Sequence, residues 1–177
     1  IHIDRNTDKD PSINVEANCT VELQTEGENT VAGKSRHAPV SVDPSATLIL
    51  GGTGTLTVEN RLERLAMSGA AIGGKSNQDS GKIIIESGTV VATSRGGGAA
   101  IGGGNTKKGT VEIRGGTVTA TANKYGAAIG GGYQGAGTVK ISGGQVNATV
   151  SGDASANGGG TNVNATDAIA GRIVKAT

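Results

Sequence analysis

The aromatic side chains of this chain are two tyrosines, Tyr125 and Tyr133, and Trp and Phe are absent. They flank Ile129 in glycine-rich sequence, with Asn123, Lys124 and Gln134 beside them. A phenol ring offers a flat apolar face and a polar tip. Amide and ammonium groups around it add directed hydrogen bonds, and that combination suits a sugar ring on a protein surface. These five residues form the candidate ligand-binding set. The same two rings would also serve simply to cover exposed loop backbone.

Other candidate chemistry is sparser. Asp4-x-Asn6-x-Asp8-x-Asp10 spaces oxygen ligands two apart, as calcium loops do. An EF-hand would place Gly sixth and Glu twelfth, where Lys9 and Val15 stand, so the run is read as a solvated acidic turn and no metal is expected. His2 and His37 lie apart, and the single Cys19 leaves no internal disulfide; a buried or half-buried thiol is expected. There is no Gly-x-Ser-x-Gly elbow, and the Gly-Gly-Gly runs at 102–104 and 130–132 belong to a repeat, not to a phosphate loop. No catalytic residue and no cofactor is assigned.

The elements that must position these residues are announced by repetition. Gly-Ala-Ala-Ile-Gly-Gly occurs at 69–74, 98–103 and 126–131, with Ile72 and Ile101 29 residues apart and Ile101 and Ile129 28 apart. Periods of this length mark stacked supersecondary units. Each unit holds two further β-branched runs bounded by Gly, Ser or Asn. Lys82-Ile83-Ile84-Ile85 is matched by Thr110-Val111-Glu112-Ile113 and Thr138-Val139-Lys140-Ile141. Thr89-Val90-Val91-Ala92-Thr93 is matched by Thr117–Thr121 and Gln145–Thr149. That is strand chemistry, and no helical period competes with it. The first third repeats the plan in degenerate form: Ile13, Val15, Val21, Leu23, Gly27 and Val31 return 27 residues on as Val40, Val42, Leu48, Leu50, Gly54 and Val58.

Three short strands per turn predict an all-β, three-sided parallel β-helix of about five full coils, right-handed as parallel crossovers almost always are. It is read as a single domain over 1–177: degenerate coils over 1–69, regular coils over 70–150, and a Gly/Asn/Ser-rich insertion with a last partial coil over 151–177. Asn60–Leu65 is a second insertion, read as a helical turn or a partner-binding loop. Period-two alternation points Val21/Leu23, Leu48/Leu50, Ile83/Ile85, Val111/Ile113 and Val139/Ile141 inward on one face, and Val90/Ala92, Val118/Ala120 and Val146/Ala148 on the next. Outward residues stack about 4.8 Å apart, which sets Glu86 beside Arg114 and Glu112 beside Lys140 as stabilising charge pairs. The third face displays Thr89, Thr117, Thr119 and Thr121 in an array that could order water against ice, although Val91 and Gln145 interrupt it.

Charge and length bound the function. Sixteen basic and fifteen acidic residues leave a net charge of +1, so nothing points to nucleic acid. There is no apolar run near the length a membrane span needs. The chain opens on Ile1 without Met, and a segment of a larger protein is expected.

Gly-Glu-Asn-Thr-Val at 27–31, Ala-Thr-Leu-Ile-Leu at 46–50, Gly-Thr-Leu-Thr-Val at 54–58 and the alternation of Gly-Ala-Ala-Ile-Gly-Gly-Gly with Gly-Gly-Thr-Val-Thr-Ala-Thr resemble a right-handed β-helix module. Such modules are met in large secreted or wall-attached proteins of anaerobic, often gut-dwelling bacteria. The resemblance implies an extracellular or cell-surface setting beside neighbouring domains of the same polypeptide, with glycan or surface polysaccharide as partner, or a rigid spacer role. It transfers no catalytic residue. A polysaccharide-degrading lyase or glycosidase is the alternative, and an ice-binding solenoid the second.

Overall fold

The computed structural model describes residues 1–5, 10–63, 67–123 and 125–151, with the strand backbone of 157–158, 166–169 and 173–176. The chain winds as a three-sided parallel β-solenoid of about five turns. A lone strand, β1 (His2–Arg5), precedes them. The first coil is β2 (Ile13–Val15), β3 (Thr20–Thr25) and β4 (Glu28–Gly33); the second is β5 (Val40–Val42), β6 (Thr47–Gly52) and β7 (Thr55–Asn60). The three regular coils follow: β8 (Ile72–Gly73), β9 (Lys82–Ile85) and β10 (Thr89–Ser94); β11 (Ile101–Gly102), β12 (Gly109–Ile113) and β13 (Thr117–Ala122); β14 (Ile129–Gly130), β15 (Gly137–Ile141) and β16 (Gln145–Val150). Then come β17 (Asn157–Gly158), β18 (Thr166–Ile169) and β19 (Ile173–Ala176). Every third strand joins the same sheet, all pairs are parallel, and no helix occurs among the described residues.

The register is the one the repeat dictates. Val111 lies between Ile83 and Val139, Val118 between Val90 and Val146, and Ile101 between Ile72 and Ile129. These residues are fully buried and form one continuous aliphatic column per face. Dispersion and water exclusion therefore act between coils rather than within one. Backbone crowding also selects residues. Gly73, Gly102 and Gly130 stack with φ of +135°, +133° and +127°. A Cβ on Gly102 would sit 2.0 Å from the carbonyl oxygen of Gly130, so the column admits only glycine.

Three expectations are corrected, and one outward residue is buried by its neighbours. Val21 faces the core column but is 37 % exposed, because among the described residues no strand covers β3 on its outer edge. Ile84 points outward yet is buried, between Ile49 and Glu112 of the adjacent strands. Cys19 is exposed, in the turn leading into β3. The described part of the 60–65 insertion is not helical: Asn60 ends β7, and its buried amide donates to the carbonyls of Ser35 (3.1 Å) and Gly69 (3.0 Å), which pins both ends of the insertion to the stack. Arg64 and Leu65 lie outside the described residues. Of the segment read over 151–177 as an insertion with a last partial coil, Asn157–Gly158, Thr166–Ile169 and Ile173–Ala176 pair in parallel with β14, β15 and β16.

Candidate functional site

The stretch between the two tyrosines turns back on itself. The Ala127 N–H donates to the Gly131 carbonyl at 3.0 Å, as Ala70 does to Gly74 and Ala99 to Gly103 in the coils before. The residues just before and just after the first face are thereby brought to the same outer edge. Backbone bonds knit that edge between coils: Ser76 N–H to Arg36 O at 2.8 Å, Asn105 N–H to Ser68 O at 3.0 Å, and Tyr133 N–H to Gly97 O at 2.7 Å. Ser76, Asn105 and Tyr133 are thus successive members of one column.

Tyr125 and Tyr133 meet as a consequence. Their ring centroids are 5.6 Å apart with planes at 70°, an edge-to-face pair of the kind that contributes about 0.5–1.5 kcal/mol beyond its area. Both rings are half-buried. Gln134 follows with φ +55°, as Asn77 (+59°) and Thr106 (+62°) do at the same corner, and its side chain is exposed. Its amide donates to the Tyr133 hydroxyl at 3.3 Å. Asn123 is exposed just after β13, its backbone N–H bonded to Ser94 O at 2.9 Å. Lys124 lies outside the described residues. The set as described carries phenols and carboxamides, which donate and accept hydrogen bonds.

Several carboxylates elsewhere are held by cations. Glu112 contacts Lys82 Nζ at 2.9 Å, Arg114 Nε at 3.0 Å and Lys140 Nζ at 3.6 Å, and its side chain is only 12 % exposed. Hydrogen bonds from Arg114 and Lys82 hold it down at about 2, where it stays ionised and cannot serve as a general acid. Glu86 pairs with Arg114 at 3.0 Å, as the stacking register implies. Burial pushes Glu59 up, but hydrogen bonds from Arg95 and Arg61 and their charges outweigh it, so its pKa is lowered. Arg61 in turn chelates Asp4 at 3.1 and 3.2 Å. That pairing occupies the first member of the acidic run; Asn6 and Asp8 lie outside the described residues.

This Asp4–Arg61–Glu59–Arg95 network was not legible from spacing, because it joins residues 57 and 36 positions apart across coils. The threonine face also extends further than its 28-residue period suggests. Thr55 pairs with Thr89 and Thr57 with Val91, offset by the insertion after Asn60, but Glu59 then stands beside Thr93 and breaks the array with charge.

Comparison with known proteins adds architecture. Residues 83–105 and 111–133 match the model of a beta helix repeat family, in the regular coils that carry the Gly-Ala-Ala-Ile motif. No curated protein and no solved structure shows significant similarity to the chain.

Proposed function

We propose that this β-solenoid is a non-catalytic module of a larger secreted or surface-attached bacterial protein, working outside the cell, and that it binds glycan at Tyr125 and Tyr133. The observation that carries the reading is the tyrosine pair itself. The chain spends its aromatic residues on one outer corner, in mutual contact and half-exposed, with exposed amides from Asn123 and Gln134 at its margin. A sugar would lie on the joint surface with its C–H face on a ring and its hydroxyls toward the amides. Few groups are desolvated in such a contact, so the affinity is weak and gains from repetition along a polysaccharide. Neighbouring domains of the same polypeptide would then supply avidity. A cleaving enzyme fits less well, since Glu112 and Glu59 are both locked to guanidinium or ammonium groups.

A glycan array probed with the wild type and with Tyr125→Ala/Tyr133→Ala tests this. The expected outcome is binding of one polysaccharide class that falls about tenfold or more in the double variant, a loss of roughly 1.4 kcal/mol, with the β-sheet circular dichroism spectrum and cooperative unfolding retained. Binding that survives both substitutions moves the site off this corner. A blank array overturns the glycan reading and leaves the spacer role.

A further inference from the structure

The net charge of +1 conceals an uneven distribution. Residues 1–86 carry twelve acids and eight bases, whereas residues 87–151 carry six bases and one acid, Glu112. The tyrosine corner lies in the basic stretch. Glu112 is already met by Lys82, Arg114 and Lys140, and Arg95 is tied to Glu59. Lys107 and Lys108 have no ion-pair partner among the described residues.

Backbone bonds place this lysine pair beside the rings. The Lys107 N–H donates to the Gly104 carbonyl at 3.0 Å, and one coil on the Gly135 N–H donates to the Gly132 carbonyl at 2.8 Å. The same turn is thus built twice. The two copies are joined by Thr106 N–H to Tyr133 O at 2.8 Å and Gly132 N–H to Lys107 O at 3.1 Å. Lys107 therefore stacks on Gly135 and Lys108 on Ala136, two and three positions past Tyr133. A Cβ on Gly135 would meet the Lys107 carbonyl oxygen at 2.0 Å, so the following turn sets no long side chain over the lysines. Lys107 is half-buried and Lys108 exposed. Asp79, the acid of the preceding turn, accepts the Lys108 N–H at 2.8 Å and offsets one of the two charges. Ammonium groups one coil from the rings attract fixed negative charge over about 10 Å at moderate ionic strength. Each is a point charge on a flexible stem, suited to a carboxylate or a sulfate without demanding one geometry.

We propose, resting on the glycan reading of this corner, that its ligand is an anionic polysaccharide: sugar rings lie on Tyr125 and Tyr133 while carboxylate or sulfate groups reach Lys107 and Lys108.

Titration of the 177-residue chain with alginate, polygalacturonate and carrageenan, and with dextran and methyl-esterified polygalacturonate as neutral polymers, tests this. Alginate and polygalacturonate carry carboxylates and carrageenan carries sulfates, so the three also separate the two anions. At least one acidic polymer should bind, more weakly as salt rises, and esterification should weaken polygalacturonate. Lys107→Gln/Lys108→Gln should lower the acidic-polymer affinity about fivefold, the scale of two exposed ion pairs, and flatten its salt dependence. Lys107→Arg/Lys108→Arg should retain both. Lys140→Gln, which removes an exposed charge from β15, should change neither. Binding of neutral polymers alone, lost in Tyr125→Ala/Tyr133→Ala, would overturn the anionic assignment and keep the glycan reading. Acidic-polymer binding that the tyrosine double variant retains, or that Lys140→Gln weakens as much as the lysine pair does, would mean diffuse ion exchange and overturn the proposal. No binding to any of these polymers would also overturn it, and a blank glycan array besides would take the glycan reading with it.

Discussion

Val21 and Val111 belong to the same core-facing column, separated by Leu48 and Ile83, yet Val21 is 37 % exposed and Val111 is 1 % exposed. Both are valines in strands, pointing the same way. The difference lies in what is stacked on them: Val111 has Ile83 on one side and Val139 on the other, whereas Val21 has Leu48 alone. In a solenoid, burial is a property of neighbouring coils, and pattern within one coil reveals direction but not depth.

The sharpest way to break the comparison is to place the same charge at both positions. Val111→Asp strands a carboxylate between two aliphatic neighbours and should cost about 4–5 kcal/mol. Val21→Asp should cost under about 1 kcal/mol, since water reaches it. Urea midpoints measured on both variants decide the matter, and equal shifts would mean that the first coil is as well covered as the fourth. Glycines offer a second pair. Gly102→Ala drives a methyl into the Gly130 carbonyl at a backbone angle closed to L-residues, and should cost about 3–4 kcal/mol. Gly27→Ala, at φ +59° with open space around the new carbon, should cost about 1 kcal/mol. Thermal unfolding of the two variants tests that ranking.

The smallest effect concerns acid. Glu112 is held at about 2 against an ordinary 4.5, so the folded state favours its ionised form. That stabilisation is whole above about pH 4.5 and is lost as pH falls toward 2. Glu112→Gln should therefore lower the melting temperature slightly near neutrality and flatten the decline between about pH 4.5 and 2.

The repeat made the solenoid legible because one structural requirement is met again at each turn. Val111, Ile113, Val118 and Ala120 were placed in the core by alternation alone, and the Glu86–Arg114 and Glu112–Lys140 pairs followed from a 28-residue offset. What escaped were features that depend on how coils end or fold back. Tyr125 and Tyr133 flank Ile129 in sequence as though on opposite sides of a strand. Both rings were read as parts of one site, but the Ala127-to-Gly131 bond that reverses the chain between them carries no signature beyond glycine, so the edge-to-face geometry of their contact was not legible. Lys124 lies outside the described residues. The exposure of Val21 and Cys19 follows from the missing outer neighbour of β3, which alternation within that strand does not encode.

Amide hydrogen exchange resolved by residue tests most directly whether neighbours, not local sequence, set the stability of each coil. The expected result is a gradient along single columns: slow exchange at Val111, Val118 and Val139, intermediate at Leu48 and Leu56, and fast exchange through Thr20–Thr25, where the outer backbone groups have no strand partner. Uniform protection from Val21 to Val139 would contradict it.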